Sequence, residues 1–215
     1  MEAAAEGKWR RPREVAQQDT SLRGARCGER AAKCAKGYVH PRAGSATLSV
    51  MRVLGIDCGT EFTGYGVVEE AKDCLVCLSK GAIRLSTREA LELRLKKVFE
   101  GLCAQIEEFQ PEVVAIEDVF YSVNAKSALK LGHVRGVAMM AAAYHGLSVE
   151  AYAPLSVKSA VAGYGRAEKH QVQEMVTRLL KLDAIPEPAD AADALAIAIC
   201  HIHTAATLER QKLKR

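Results

Sequence analysis

The sequence predicts an α/β fold, a five-stranded mixed sheet flanked by helices. Two patterns carry the prediction. Three strand-length runs follow one another between Arg52 and Leu85, as in an antiparallel meander, and strands then alternate with helical segments. The run Val113–Glu117 (VVAIE) is almost wholly apolar, as expected of a strand covered on both faces. At 215 residues, 49% hydrophobic and 26% charged, the chain suits one globular domain with an appendage.

The elements follow in order. Arg52–Asp57 (RVLGID) reads as a buried strand that closes on an acid. Gly59 and Gly64 bracket a turn, and Thr63–Val68 (TGYGVV) returns as the second strand. Leu75–Leu85 is the third. Thr87 is expected to cap a helix whose apolar positions Leu91, Leu95, Val98, Leu102, Ile106 and Phe109 keep helical spacing, and Pro111 ends it. After VVAIE, Asn124 or Ser127 opens a long helix to about Tyr144, closed by Gly146. Leu147–Tyr152 is the fifth strand. Helices are expected over 156–161, 168–182 and 189–204, and the final LERQKLKR reads as a basic, frayed tail.

Charge divides the chain unevenly. The formal net charge is +4, but residues 1–50 hold ten Lys/Arg against five Asp/Glu, leaving twenty against twenty-one for residues 51–215. The first fifty residues show no sustained period of 2 or 3.6 and lack the apolar centre of a signal peptide. They read as a disordered basic extension, with Met51 as a second candidate start. The expected division is therefore 1–50 extension, 51–208 folded domain and 209–215 tail. A near-neutral folded part argues neither for nor against nucleic acid, because phosphate responds to a local patch. No uninterrupted apolar run approaches the roughly 18 residues of a membrane span, so no membrane partner is expected.

Seven scattered cysteines, an odd count, suggest free thiols in a reducing cytoplasm. Cys74 and Cys77 have metal-ligand spacing but lie in an apolar run, and they read as strand positions. His201 and His203 alternate along a helix and face different ways, which disfavours a shared metal.

Four acids stand out by position. Asp57 closes the first strand and Glu117 the fourth, so adjacent strands ending on one side of the sheet would bring them together. Asp190 and Asp193, three apart in PADAADALAIAICH, share one helix face, and their alanine neighbours let that helix lie close to the sheet. Converging carboxylates repel unless cations neutralise them. Oxygen-only donors favour Mg²⁺ or Mn²⁺ over zinc, and two such ions support phosphodiester hydrolysis. Each acid also has a structural reading: Asp57 as a turn residue, Glu117 as an exposed strand end, Asp190 as a helix cap and Asp193 as a first-turn acid. Asp118 points away from Glu117 and reads as structural.

These residues carry a resemblance. GIDCGTEFTGYGVV, FQPEVVAIEDVF, NAKSALKLGHVRGVA, AEKHQVQEMVTRLLKL and ADAADALAIAICH, in this order across residues 51–215, resemble the RuvC family of Holliday-junction resolvases. That family has the RNase H-like fold. The resemblance implies a homodimeric endonuclease that resolves four-way DNA junctions in recombination and repair by paired symmetric nicks. It implies Mg²⁺, two ions per site with Mn²⁺ as a substitute, held by Asp57, Glu117, Asp190 and Asp193 as the catalytic acids. It implies DNA-binding roles for Lys158, Lys169 and Phe120, and RuvA and RuvB as partners in the cytoplasm. Solvated helix charges and a core phenylalanine are the structural alternatives for these three. The small-residue stripe Ala128, Gly132 and Gly136 suits the family's dimer interface and equally suits packing on the chain's own sheet.

The chain departs from the family pattern at Cys58, where proline is common, and at Glu61 and Val123, where basic residues are frequent. DNA affinity is more exposed to these changes than catalysis is. Actin/Hsp70-type ATPases share a GIDxGT opening, but the chain lacks a second Gly-rich phosphate turn. A related RNase H-like nuclease of RNA would not be expected to carry the ALKLGHVRGVA helix. A protein that merely coats junctions would not need four acids.

Overall fold

Strand β1 (Met51–Asp57) is the centre of the sheet. The computed structural model describes residues 50–71, 74–118 and 125–212. β2 (Phe62–Ala71) and β3 (Cys74–Arg84) complete the antiparallel meander, and β4 (Val113–Glu117) and β5 (Ser148–Tyr152) add parallel to β1. The order is β3-β2-β1-β4-β5. This is the mixed five-stranded sheet expected.

Strand alternation divides the core into two faces. Val53 and Val113 face one side with helices α3 (Pro154–Ala162), α4 (Lys169–Leu179) and α5 (Ala189–Lys212). Leu54, Ile56, Val114 and Ile116 face the other, with α1 (Leu91–Phe109) and α2 (Ala125–Tyr144). Cys77 is buried on β3 and Cys74 half-buried, consistent with strand positions.

Helix ends show where local chemistry differs from expectation. Thr87 does not cap α1. Ser86 organises a turn instead, accepting the Arg88 N–H at 3.3 Å on its side chain and the Glu89 N–H at 3.1 Å on its carbonyl. The helix therefore starts at Leu91, with Ala90 at the N-cap and no side-chain cap. At the end of α2, Gly146 (φ 73°) closes a Schellman arrangement in which Leu147 N–H donates to Ala142 O at 3.0 Å. Asn124, one expected start of α2, lies outside the described residues.

α5 runs beyond Thr204 to Lys212, because neither glycine nor proline interrupts it and the Thr204 and Thr207 hydroxyls bond back to Cys200 O and His203 O at 2.8 Å. Residues 209–212 of the expected tail are therefore helical. By length and composition Ala189–Leu208 would suffice to cross a membrane. Its apolarity serves the core: Ala191, Leu195, Ile199 and Ile202 have no exposed surface. The two histidines are separately engaged, His201 with the Tyr152 hydroxyl at 2.8 Å and His203 with Ala160 O at 3.0 Å.

Candidate active site

β1 and β4 pair in parallel with Ile56 opposite Ile116, so Asp57 and Glu117 leave the sheet side by side at the same end. Each follows its strand's alternation onto the α5 face, after Val53 and Gly55 in β1 and after Val113 and Ala115 in β4. What brings α5 close enough is a trio of strand glycines. A Cβ on Gly55 would stand 2.0 Å from Ala194 O, one on Gly64 2.0 Å from Asp190 O, and one on Gly66 2.7 Å from Leu195 Cδ2. Gly64 is the cross-strand partner of Asp57. The first turn of α5 thus rests on backbone beside the acid it must serve. The alanines of α5 were legible as small; the matching glycines are the other half of the same contact.

Asp57, Glu117 and Asp193 line one cleft of about 210 Å³, together with Lys158 and Lys169. Val157, Val172 and Ile197 form its apolar wall. Asp190 does not line it, but stands near enough for its charge to act on Asp57. Lys169 is the first residue of α4, whose start is fixed by a capping box between Glu168 and Gln171. Its ammonium donates to Asp193 Oδ2 at 2.5 Å. Phe120 lies outside the described residues, as does Val123.

Electrostatics in the cleft are unbalanced. Burial first, then the charges of Asp193, Glu117 and Asp190, push the Asp57 carboxyl up to about 7, against the opposing pull of Lys169. Burial and Asp193 also raise Glu117, while Lys158 and Lys169 work to lower it. Burial disfavours the charged Lys169, yet its hydrogen bond to Asp193 and the surrounding carboxylates outweigh this and raise it. Among the described residues no three metal-ligating side chains already close on one point. The acids ring the cleft instead. An all-oxygen donor set with too little positive charge suits a hard divalent cation.

Two arginines from the opposite face reach residues that closely follow the acids. Arg94 of α1 is buried and donates to Thr60 O in the turn after Asp57. Arg135 of α2 reaches Asp118, directly after Glu117, at 3.4 Å. Nothing in the sequence marked either one, because the partners are 34 and 17 residues away. Asp118 pairs with Arg135 and does not line the cleft.

A family model described as Crossover junction endodeoxyribonuclease RuvC matches residues 53–201. The chain belongs to the RuvC family. It is 66% identical over 165 residues to a crossover junction endodeoxyribonuclease RuvC of Koribacter versatilis, covering 76% of this chain and 99% of that one. It is 56% identical over 169 residues to the RuvC of Acidobacterium capsulatum, covering 75% and 99%. Its fold matches T. thermophilus RuvC in complex with a Holliday junction substrate at a TM-score of 0.69 and 36% identity, over 72% of this chain and 94% of that one. The sheet and its flanking helices are therefore the RNase H-like fold of RuvC. As a RuvC-family nuclease, the chain depends on a divalent metal.

Proposed function

We propose that the chain resolves Holliday junctions in recombination and repair, making paired symmetric nicks with Mg²⁺ and accepting Mn²⁺ in its place. The observation that carries this reading is the convergence of Asp57, Glu117 and Asp193 on one cleft at the sheet end. These three carboxylates, with Asp190 at the edge, would hold the divalent ions. When bound, the ions would activate water and stabilise the leaving oxygen of a phosphodiester.

The chain's own groups do the rest. Lys158 and Lys169 face the cleft and set positive charge against the anionic transition state. The bond from Lys169 keeps Asp193 oriented. Val157, Val172 and Ile197 exclude water from one wall, which strengthens each charge interaction beside them. Phe120 is assigned to stacking on an unpaired base at the junction.

Symmetric incision needs two active sites, and the exposed face of α2 supports a homodimer. A Cβ at Gly132 or Gly136 would meet nothing within 4 Å, so the stripe does not pack on the chain's own sheet. Leu129 (63%) and Met140 (59%) are exposed along the same helix. Among the described residues Cys58, Cys74, Cys77, Cys103 and Cys200 form no disulfide, which supports a reducing, cytoplasmic setting. Family membership supports RuvA and RuvB as partners.

The test is direct. The protein with Mg²⁺ is expected to nick a synthetic four-way junction at symmetric positions and to leave linear duplex largely intact. Asp57→Asn is expected to bind the junction normally while cutting at least about 100-fold more slowly, given that losing even an outer partner of a metal ligand costs 10–100-fold. Unchanged cutting by that variant would remove Asp57 from the mechanism.

A further inference from the structure

A second groove opens at the same end of the sheet as the acids. It has a volume of about 600 Å³ and is lined by Arg84, Arg88 and Lys97, with Ser86, Thr87 and Glu61. Arg84 ends β3 opposite Phe62 at the start of β2, and the Leu85 N–H donates to Glu61 O at 2.7 Å, which ties together the two lining segments. Lys97 is already engaged with Glu89 at 2.7 Å. Arg84 and Arg88 are exposed, and neither makes an ion pair among the described residues.

Geometry relates this groove to the cleft. β3 lies two strands from β1, and Arg84 sits two residues nearer the sheet end than the Asp57–Gly64 pair. Strand spacing and rise put about 12 Å between the two positions. DNA advances about 3.4 Å per nucleotide along one strand, so a phosphate three or four nucleotides from one held at the acids would reach Arg84 and Arg88. Guanidinium groups match phosphate oxygens in a planar, two-bond geometry, and the serine and threonine hydroxyls add donors that fix its position.

We infer that Arg84 and Arg88, with Ser86 and Thr87, form a backbone-phosphate site for the DNA strand that leaves the active cleft. This rests on the junction-resolving reading above and extends its interface across β3. The site grips and orients the duplex arm without reading its bases.

The experiment compares wild type with Arg84→Ala/Arg88→Ala in binding a synthetic four-way junction over a salt series, with EDTA to prevent cutting. Each phosphate contact contributes about 0.9 to the slope of log affinity against log salt, so the double variant is expected to lose about two from that slope. At about 50 mM salt it is expected to bind at least roughly tenfold more weakly. Arg178→Ala/Arg210→Ala removes two cations at the opposite end of the sheet and is expected to retain the wild-type slope. Arg84→Lys/Arg88→Lys, which keeps the charge, is expected to recover most of the slope. Both arginines are exposed, so the melting temperature should not move. An unchanged slope in the alanine pair, or a loss matched by the control pair, overturns the site. Normal junction binding by a wild-type protein that cuts nothing would instead overturn the resolving activity, while leaving the slope comparison readable.

Discussion

The two faces of the sheet are packed by different rules. On one, α5 lies against bare backbone at Gly55, Gly64 and Gly66. On the other, α1 and α2 rest on the large side chains of Leu54, Ile56, Val114 and Ile116. Side-chain packing can relax by changing rotamers, but helix backbone against strand backbone has little to give. The face that positions the acids is therefore the rigid one. The opposite face supplies bulk, and α2 leaves Gly132 and Gly136 open to solvent.

Adding one methyl group to each face should expose the difference most strongly. Gly64→Ala would place a Cβ within 2.0 Å of Asp190 O, so α5 must lift. A stability loss of about 1–3 kcal/mol is expected, with a larger proportional loss of nicking as the acids separate. Thermal melts and junction cutting measure both. Retention of full activity would show that α5 can dock in more than one position.

A smaller effect should appear in pH. The Asp57 carboxyl titrates near 7 when folded, against 3.8 ordinarily, so the folded state binds a proton that the unfolded state has lost between those values. Glu117 shifts in the same direction. Metal-free protein should therefore lose stability as pH rises from about 4 to about 7. Mg²⁺ should raise the melting temperature more at about pH 8 than at about pH 5, because it competes with protons for the same carboxylates. An equal rise at both would mean that the ion's stabilising contacts lie elsewhere.

The mildest case is Gly136→Ala. With nothing within 4 Å of the added methyl, the monomer should gain up to about 1 kcal/mol from helix propensity. Dimerisation, followed by sedimentation, should weaken if a second copy packs on that stripe.

Much of this was legible in the sequence because it is periodic or local. Apolar alternation placed the strands, helical spacing placed α1, and Asp57 and Glu117 were recognisable as strand-end acids. Residues whose roles depend on register or distance were not. Gly55 and Gly66 are cross-strand partners, a relation that appears only once β1 and β2 are paired. Arg94 and Arg135 act across gaps that no local pattern spans. Thr87 failed as a cap because Ser86, one residue earlier, had already committed the chain to a turn. Three-residue spacing put Asp190 and Asp193 on one helix face, but did not set which of them lines the cleft.

The apolarity of α5 has a consequence for how the chain is made. Ala189–Leu208 could pass for a membrane span, and exposed in an unfinished chain it would attract membranes, chaperones or other copies of itself. Its docking surface is built from the sheet, chiefly β1 and β2, and from α3 and α4, all of which precede it in the sequence. During synthesis the sheet's residues emerge before the sticky segment does. The order of translation thus shortens the time for which this segment lacks its proper partner.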